Sequence, residues 1–372
     1  AGGRSFANQA RLSAAGIPQI AVVHGSSTAG GAYLPGLSDY VVLVKGRSKV
    51  FLAGPPLVKA ALGEETTDEE LGGAKLHSEI TGLGEYLAKD DAEVARRIMS
   101  LLPWDRSEAL SDAAPPLRPP SELTAVVPKS ERSPFDMREV IIRLVDGSVF
   151  LPFKERFGRE LVCAHARIHG HAVGILANNG PIRPSGSTKA AQFIQLCDQS
   201  STPLIFLQNT TGYMVGTQAE RDGAIKHGAK MIQAVANARV PKLTVVVGGS
   251  FGAGNYGMCG RGFDPDFIFA WPTARTAVMG GRQAAEVMKS ITRAKFERSG
   301  QEYDEAALET LSQAVQVQLD RESTALFGTA RLWDDGIIDP AHTRATLAIC
   351  LDIAHRAGRR ALSPNSFGVA RP

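Results

Sequence analysis

Two short glycine-rich segments hold the residues of this sequence that are best suited to chemistry. Gly30-Gly31 follow one apolar run, and Ala253-Gly254 follow another. Each segment is predicted to join a buried strand to a helix, whose first backbone N–H groups are unpaired and lie at the positive end of the helix dipole. Small residues let a ligand approach those donors, so such a turn can bind a phosphate or stabilise a developing oxyanion. The simpler interpretation is that these glycines only permit tight turns.

A serine nucleophile is a weaker alternative at the first segment. Ser26 and Ser27 lie beside the glycines, but residues 25–29 depart from the GxSxG pattern because the fifth residue is alanine. His24 is too near in sequence to be assigned as their base. Neither glycine segment matches the dinucleotide fingerprint, and no Walker lysine follows.

Two further groups of polar residues could bind a metal. His165, His169 and His171 lie on or beside a predicted strand, and alternation along that strand predicts all three on one solvated face. The acidic stretch at Asp334–Pro340 lacks the spacing of an EF-hand and is predicted to be a turn. We therefore expect no metal in this chain.

The chain contains an internal repeat that includes both glycine segments. Residues 17–33 are predicted to be a strand followed by a glycine turn, and residues 240–256 repeat that pattern without a gap. Both copies continue into an apolar run (Tyr40–Val44 and Phe267–Trp271) and a second glycine turn, and a duplicated fold is the simplest account. The matching residues are Pro18 and Pro241, Gly25 and Gly248, Ser27 and Ser250, Gly31 and Gly254, Tyr33 and Tyr256, and the second turns at Gly54-Pro55-Pro56 and Gly280-Gly281-Arg282.

The second copy is preceded by about a hundred residues of strand and helix signals, whereas the first has only sixteen. The first copy is therefore expected to lack its opening strands. Continuous apolar strands separated by helices predict an α/β fold with a sheet covered on both faces. The strands are predicted at 140–145, 161–168, 173–177 and 204–207, and the helices at 220–239 and 283–326.

A proline-rich segment separates the two copies. Proline removes backbone donors and disfavours helix, so residues 113–134 are predicted to be an extended linker. The predicted domains are residues 1–112 and 135–367. The prolines of the segment are Pro115, Pro116, Pro119, Pro120, Pro128 and Pro134.

Composition excludes several classes of protein. The 372 residues are 44% apolar with a net charge of +3, so neither disorder nor a global attraction to nucleic acid is expected. The apolar runs are too short for a membrane-spanning helix. Cys163, Cys197, Cys259 and Cys350 have no ligand-like spacing and are predicted to be small buried residues in a reducing compartment.

Seven motifs run in order through most of the chain, from Gly3 to about Arg344. They are GSSTAGGAYLP at residues 25–35, FLAGPPLVKAA at 51–61, LGGAKLH at 71–77, NTTGYMVG at 209–216, GGSFGAGNYGMCGR at 248–261, VMGG at 278–281 and ARLWDDGIIDP at 330–340. Together they closely resemble the carboxyltransferase (beta) subunit of biotin-dependent acyl-CoA carboxylases. Several, NTTGYMVG and NYGMCGR above all, resemble the methylcrotonyl-CoA branch more than the propionyl-CoA branch.

The resemblance implies two crotonase-like domains, each a ββα superhelix, related by duplication and with the first incomplete at its N-terminus. It implies an active site between the N domain of one protomer and the C domain of another. There CO₂ passes from carboxybiotin, carried by a partner, to the enolate or dienolate of an acyl-CoA. The ureido nitrogen of biotin can take the proton, so no side-chain base is required.

By the same resemblance, Gly30 and Gly31 would donate backbone N–H groups to the thioester enolate. Ala253 and Gly254 would donate theirs to the ureido oxygen of biotin. The other candidate binding residues are Gly25, Ser26, Ser27, Thr28 and Tyr33 around the first turn, and Thr210, Thr211, Gly212, Tyr213, Phe251, Gly252 and Tyr256 around the second.

Some residues depart from the family pattern. Ser26-Ser27 stand where the methylcrotonyl branch usually has Ser-Cys, and Pro35-Gly36-Leu37 where it has Pro-Ala-Met. The resemblance therefore leaves the acyl chain open between 3-methylcrotonyl and a longer branched unsaturated chain such as geranyl. Family members are also longer, and the first residue is not Met, so the sequence is expected to begin inside a longer chain.

The resemblance implies an enzyme that works with a biotin carboxylase/biotin carrier (alpha) subunit as a hexamer, without nucleic acid or membrane. The expected location is the cytoplasm, or the mitochondrial matrix in a eukaryote. The alternatives are a propionyl- or acetyl-CoA-type carboxylase beta subunit, a crotonase-type hydratase or hydrolase, and a truncated scaffold that only binds the biotin subunit.

Overall fold

The protein is described by a computed structural model that covers residues 2–17, 19–101, 113–128, 133, 135–299 and 304–359. These residues fall into two units, the first made up of residues 2–101 with Arg359 and the second of the described residues from 113 to 358. Both units combine helices with parallel strands, so the predicted α/β class is confirmed. Pro18, Pro134 and the predicted domain ends at residues 112 and 367 lie outside the described residues, and the domain boundaries stay a prediction.

Parallel strands form the centre of the first unit. A three-stranded sheet has the order β1-β3-β5, and β2 pairs with β4, where the strands are β1 (Ile20–Val23), β2 (Ser26–Thr28), β3 (Tyr40–Val44), β4 (Lys49–Phe51) and β5 (Tyr86–Ala88). Val41–Val44 of β3 are buried, as expected for an apolar strand between two others. The helices are α1 (Gly2–Ala14), α2 (Tyr33–Leu37), α3 (Pro55–Leu62), α4 (Asp68–Gly72), α5 (Ala74–Glu79) and α6 (Asp91–Leu101), with a 3₁₀ turn at Ala29–Ala32 before α2.

A seven-stranded mixed sheet organises the second unit. Its order is β11-β10-β9-β8-β7-β6, with β12 paired to β10; the β6–β7 and β7–β8 pairs are antiparallel and the others parallel. The strands are β6 (Phe150–Pro152), β7 (Leu161–Ile168), β8 (His171–Asn178), β9 (Leu204–Thr210), β10 (Lys242–Phe251), β11 (Phe267–Ala270) and β12 (Arg275–Ala277). The helices are α7 (Leu123–Val126), α8 (Met137–Leu144), α9 (Pro184–Gln199), α10 (Thr217–Arg221), α11 (Ala224–Asn237), α12 (Gly252–Gly257), α13 (Gly281–Ser299), α14 (Glu305–Glu322), α15 (Ala325–Thr329) and α16 (Thr343–Arg359).

Helices cover both faces of this sheet, as predicted. Alternate strand residues enter a core with α8 and α16 on one face and a core with α9 and α11 on the other. Burial on both faces explains why β8, β9 and β10 are continuous apolar runs. The predicted strands at 161–168, 173–177 and 204–207 are confirmed.

The strand predicted at 140–145 is wrong, because residues 140–144 belong to helix α8 and Val145 is its C-cap. Met137, Val140, Ile141 and Leu144 are fully buried and recur at the three- and four-residue spacing of one helix face. Asp136 caps the helix, since its side chain accepts a hydrogen bond from the N–H of Arg138. Reading the β-branched run alone missed this longer periodicity.

The proline-rich segment is not extended throughout. A 3₁₀ turn at Pro120–Glu122 leads into α7, whose Leu123 is fully buried in the core of the second unit. Pro120 stands at the first turn position, where its missing N–H costs no hydrogen bond. The density of prolines therefore did not exclude local helix.

Two other helical predictions need refinement. The helix predicted at 220–239 is divided into α10 and α11 at Gly223, which has a φ of +78°. The charged region at 283–326 forms α13 and α14, which pack against each other along ion pairs from Lys289 to Glu305 and Glu309.

The three histidines do not share one solvated face. The ring of His165 lies 4.9 Å from that of Phe193 on α9, whereas the ring of His171 lies 6.2 Å from that of His355 on α16, on the opposite face of the sheet. Burial lowers the pKa of both His169 and His171. Within the described ranges, no group of three or more His, Cys, Asp or Glu side chains is arranged to hold a metal ion.

The four cysteines are buried and free, as predicted for small core residues. A search of the described helices found none that is both long and apolar enough to cross a membrane.

Candidate functional site

The glycine turn of the second unit joins β10 to α12 at the carboxyl edge of the parallel strands. Gly252 has a φ of +54°, a left-handed conformation that favours glycine, and a Cβ atom there would lie 3.1 Å from the carbonyl oxygen of Val278. The next residue, Ala253, is exposed, whereas Gly254 is buried. These residues form the first turn of α12, where helix N–H groups have no intrahelical partner.

The loop after β9 packs directly against this turn. A Cβ atom on Gly254 would lie 2.9 Å from the Cα atom of Gly212 and 3.0 Å from the Cγ2 atom of Thr210. Two hydrogen bonds fix this loop. The N–H of Gly212 donates to the Thr210 hydroxyl over 3.1 Å, and the backbone N–H of Ile182 donates to the Gly212 carbonyl over 3.0 Å. The structure thus brings Thr210, Gly212 and Gly254 together, and close packing alone already requires glycine at 254.

A buried chain of hydrogen bonds supports the turn from below. Asn255 donates to the hydroxyl of Ser250 over 2.8 Å, Ser250 donates to the Gln208 side chain, and Gln208 donates to the carbonyl of Met258 over 2.7 Å. Sequence reasoning missed these residues. The available signal was a pair of amide residues, Gln208-Asn209, at the carboxyl end of a buried strand.

A cleft of about 610 Å³ opens beside the turn in the second unit. It contains Thr211 and Phe251 from the predicted set, together with Asn209, whose side-chain oxygen accepts the N–H of Gly249 over 3.2 Å. Strand ends and the beginning of α13 supply most of the remaining polar lining, which includes Asn179, Thr273, Arg275, Arg282, Gln283, Gln316 and Asp320.

The two predicted tyrosines of this region lie outside the cleft. The ring of Tyr213 packs between Gly228 and Gly257, and burial raises the pKa of its phenol. Its hydroxyl has no hydrogen-bond partner in the part of the chain that the structure describes. Tyr256 is 49% exposed and its ring centroid lies 5.7 Å from that of Phe263. Tyr213 therefore acts as packing here, whereas Tyr256 has a face open to solvent.

The turn of the first unit also begins with a left-handed residue. Ala29 has a φ of +52°, and Gly30 is exposed and Gly31 half-buried in the 3₁₀ turn that follows. The hydroxyl of Ser27 donates to the carbonyl of Gly31 over 2.9 Å and so braces the turn. Among the described residues, a Cβ atom on Gly31 would have one neighbour within 4 Å, that hydroxyl oxygen, at 3.6 Å. Here packing does not require glycine.

Gly25, Ser26 and Ser27 line a cleft of about 560 Å³ along β1, while Thr28 and Tyr33 are exposed outside it. The neighbouring His24 contacts the carboxylate of Asp91 at 2.6 Å and an Arg47 nitrogen at 3.0 Å. The hydrogen bond from His24 lowers the pKa of Asp91. Because His24 bonds to Asp91 and Ser27 to the Gly31 carbonyl, these two residues do not pair with each other.

The strands around the two turns pair in the same way. β1 meets β3 with Ile20 opposite Tyr40, and β10 meets β11 with Leu243 opposite Phe267. Further along each unit, Ser26 of β2 lies opposite Lys49 of β4, and Gly249 in the last part of β10 lies opposite Arg275 of β12. In both units the left-handed residue, Ala29 or Gly252, follows at the corresponding position.

Comparison with known proteins shows one family over nearly the whole chain. The model of the carboxyl transferase domain matches residues 1–369. The probable biotin-dependent acyl-coenzyme A carboxylase beta2 subunit of Mycobacterium tuberculosis is 51% identical over 375 residues, which are 100% of this chain and 70% of the relative. The mitochondrial methylcrotonoyl-CoA carboxylase beta chain of Dictyostelium discoideum is 48% identical, over 99% of this chain and 63% of the relative.

Solved structures agree with this result. The beta subunit of P. aeruginosa geranyl-CoA carboxylase has a TM-score of 0.82 and 59% identity, covering 100% of this chain and 70% of that structure. Transcarboxylase 12S has a TM-score of 0.59 and 34% identity, with 98% and 70% coverage. The chain thus spans between 63% and 70% of the length of these relatives. It belongs to the carboxyl transferase domain family, and the predicted kinship with the beta subunits of biotin-dependent acyl-CoA carboxylases is confirmed.

Proposed function

We propose that this chain is a carboxyltransferase subunit that transfers CO₂ from carboxybiotin to the enolate or dienolate of a branched, unsaturated acyl-CoA. The observation that carries the proposal is the pair of equivalent turns, one in each unit, with backbone donors at Gly30-Gly31 and Ala253-Gly254. Two oxyanion sites suit a transfer between two carbonyl compounds, because negative charge develops on a thioester oxygen and on a ureido oxygen in turn.

In the first unit, the N–H groups of Gly30 and Gly31 would stabilise the thioester enolate. The absence of side chains lets the thioester reach the donors, and the bond from Ser27 to the Gly31 carbonyl keeps the turn in place before substrate binds. Fixed donors need no reorganisation during the reaction, and each contributes about 10²–10³ in rate.

In the second unit, Ala253 and Gly254 would bind the ureido oxygen of biotin. The fit is supported by the exposure of Ala253 and by the adjoining cleft, where Phe251 offers an apolar ring and Thr211 and Asn209 offer polar groups. When bound, carboxybiotin supplies the CO₂ and, after its release, a ureido nitrogen that can take the proton. This chain then has only to hold the two oxygens and exclude water.

The acyl group is proposed to be 3-methylcrotonyl or a longer branched chain. Support comes from the names of the similar proteins, since the methylcrotonoyl-CoA carboxylase beta chain of Arabidopsis thaliana is 46% identical whereas the propionyl-CoA carboxylase beta chain of Saccharopolyspora erythraea is 34% identical. The structure of geranyl-CoA carboxylase beta is 59% identical and supports the longer chain. A propionyl- or acetyl-CoA substrate is the alternative.

The remaining assembly is proposed from the family. The matching strand registers and left-handed residues support two crotonase-like domains related by duplication, with their boundaries at residues 112 and 135. A hexamer of this subunit, a biotin carboxylase/biotin carrier partner and a cytoplasmic or mitochondrial matrix location belong to the same proposal.

The test is to incubate the full-length protein with its biotin-bearing partner, bicarbonate, ATP and, in parallel, 3-methylcrotonyl-, geranyl- and propionyl-CoA. Carboxylated product that depends on the biotin subunit supports transfer. Hydrated or hydrolysed product in the absence of that subunit would instead indicate a crotonase-type hydratase or hydrolase. Binding of the partner with no product from any acyl-CoA would indicate a scaffold.

A further inference from the structure

The turn that carries Ala253 and Gly254 cannot hold its shape by its own helix propensity. Three of the six residues of α12 are glycines, and glycine is second only to proline in disfavouring a helix. Phe251, at the N-cap, has no polar side-chain atom that could cap the first N–H groups. Donors that must stay aimed at one point therefore need support from outside α12.

Three side-chain hydrogen bonds supply that support. Asn255, which directly follows Gly254, donates to the hydroxyl of Ser250 on β10 over 2.8 Å. Ser250 donates to the Gln208 side chain on β9, and Gln208 donates over 2.7 Å to the carbonyl of Met258, the C-cap of α12. The bonds thus begin and end on the segment that carries the donors and tie it to two strands of the sheet. We call the three side chains of Gln208, Ser250 and Asn255 the clamp.

The clamp has one arrangement of its hydrogen bonds. The amide nitrogen of Gln208 is the donor at the Met258 carbonyl, so its oxygen accepts from Ser250, and the Ser250 oxygen in turn accepts from Asn255. Gln208 and Ser250 are fully buried, so water does not replace these bonds. Removal of any member leaves a buried polar group unpaired, which makes the arrangement rigid.

The first turn is held in another way, although the repeat supplies the same serine. Ser27 corresponds to Ser250, but its hydroxyl donates within the turn, to the carbonyl of Gly31 over 2.9 Å. The residue that corresponds to Asn255 is Ala32, whose side chain cannot donate a hydrogen bond. The clamp is therefore a property of the second turn.

We propose that the clamp positions the N–H groups of Ala253 and Gly254 for the ureido oxygen of biotin. The inference rests on the proposed function, which places biotin at this turn. The donors would stabilise that oxygen while the N–C bond of carboxybiotin breaks, its electron pair stays on the ureido group and the released CO₂ forms a C–C bond with the dienolate. The proton lost by the acyl-CoA goes to the ureido nitrogen. Hydrogen bonds weaken steeply with misalignment, so a small rotation of α12 slows this step.

Two variants of the full-length protein break the clamp at different points. Asn255→Ala removes the donor to Ser250 and introduces the residue that the first turn has. Alanine is also a better helix former than asparagine, so a loss of function cannot be assigned to a weaker helix. Gln208→Met keeps the length of the side chain but makes neither hydrogen bond. Thermal unfolding of each variant shows whether it folds, and Asn255→Ala, at a half-buried position, decides the question if Gln208→Met does not.

Thr244→Val is the matched control. Thr244 lies on β10, is fully buried and donates to the carbonyl of Cys259 over 2.7 Å, one residue beyond the carbonyl that Gln208 binds. The control therefore removes a buried bond of the same kind and length from the same region, while the clamp stays complete. Its effect on stability shows how much of any change comes from the lost bond alone.

Three measurements separate positioning from general support. The biotin-bearing partner is loaded with labelled carboxybiotin and mixed with 3-methylcrotonyl-CoA or geranyl-CoA, which gives the single-turnover rate of transfer and the acyl-CoA concentration at half-saturation. Titration with free biotin, without ATP, measures binding at the second turn. Hydrogen exchange of the amides at residues 252–258 measures how firmly the donors are held.

Both clamp variants are expected to slow transfer about tenfold or more, below the full 10²–10³ of a lost donor. Half-saturation by acyl-CoA should stay unchanged, because the thioester is proposed to bind in the first unit, while biotin binding weakens and exchange at residues 252–258 rises. Thr244→Val should match the parent protein in all three measurements. Unchanged transfer and exchange in the clamp variants, or equal losses in the control, would overturn the positioning role.

The failure of this inference differs from the failure of the proposed function. If the parent protein passes no label from carboxybiotin to either acyl-CoA, the proposed function fails, and biotin titration and hydrogen exchange still decide whether the clamp holds the turn. If the parent protein transfers the label and the clamp variants behave like Thr244→Val, the clamp alone fails.

Discussion

The Cα atom of Gly212 lies 2.9 Å from the point that a Cβ atom of Gly254 would occupy. In the first unit, the nearest atom to the same point on Gly31 is the Ser27 hydroxyl oxygen, at 3.6 Å. Two glycines that correspond in the repeat are therefore small for different reasons. Packing against Gly212 excludes a side chain at position 254, whereas the space beside Gly31 is open to a ligand.

Gly31→Val is expected to abolish carboxyl transfer while the protein stays folded. The backbone at Gly31 is not left-handed and the space beside it is open, but a branched side chain would block the approach of the thioester to the N–H groups. The expected loss is at least the 10²–10³ typical of one oxyanion donor. Turnover is measured alongside unfolding and size-exclusion chromatography.

Gly262→Val is the control for that variant, because Gly262 is exposed and a Cβ atom there would meet no atom of the described residues within 4 Å. Near-normal turnover of Gly31→Val would remove the proposed role of this residue.

Gly254→Ala is expected to destabilise the second unit by about 1–3 kcal/mol, the usual range for overpacking a tight site. The added methyl group would push against the backbone of Gly212, which has no rotamer to change. Chemical unfolding measures the free energy, with Gly262→Ala as the control. An unchanged free energy of unfolding would contradict the packing that we describe.

Arg344→Leu is expected to destabilise the protein by about 3–5 kcal/mol, the usual cost of leaving one partner of a buried ion pair alone. The guanidinium of Arg344 lies 2.7 Å from the carboxylate of Asp146, and their side chains are 8% and 12% exposed. Chemical unfolding near neutral pH measures the effect. A loss comparable to that of a surface substitution would contradict it.

The same ion pair predicts sensitivity to acid. Burial by itself raises the pKa of Asp146, but the N–H of Gly170, the guanidinium of Arg344 and the N–H of His169 outweigh burial and hold the pKa below its usual value. The stabilisation is therefore complete above the unfolded pKa of about 3.9 and is lost as the pH falls through the lower folded pKa. Asp146→Asn should flatten this part of a stability–pH curve; an unchanged slope below about pH 4 would argue against it.

The four thiols should be unreactive in the native protein at neutral pH. Burial raises the pKa of Cys163, Cys197, Cys259 and Cys350 to about 12, so the thiolate that reacts with alkylating agents is scarce and shielded. Labelling with iodoacetamide and mass spectrometry should find modification only after denaturation. Rapid labelling of any one of these cysteines in the folded state would show that the residues packed over its thiol move away in the native protein.

The sequence by itself predicted the elements whose signals are local. The strands at 161–168, 173–177 and 204–207 are continuous apolar runs, and a strand buried on both faces has that pattern wherever it occurs. The family was also predictable, because its motifs are contiguous glycine-rich segments. The backbone N–H donors of such a segment do not depend on side chains from distant parts of the chain.

Other predictions failed where one apolar segment fits both the spacing of a strand and the spacing of a helix, or where a turn decides which face of the sheet a residue lies on. Residues 140–145 are rich in β-branched side chains. Met137, Val140, Ile141 and Leu144 nevertheless form a helix face that packs in a core, and this packing outweighs the local preference. His165 and His171 were expected to share a face, yet the short turn between β7 and β8 places them on opposite sides of the sheet.

Only the tertiary structure decided what surrounds each glycine turn. The repeat makes Gly31 and Gly254 alike in sequence. The loop at Gly212, 42 residues away from Gly254 along the chain, fills the space beside Gly254, whereas the atom nearest to a Cβ on Gly31 is the Ser27 hydroxyl oxygen at 3.6 Å. Contacts between distant segments depend on how strands and helices pack, and no spacing within a motif carries that information. The sequence thus determines where the backbone donors are, and the fold determines what can reach them.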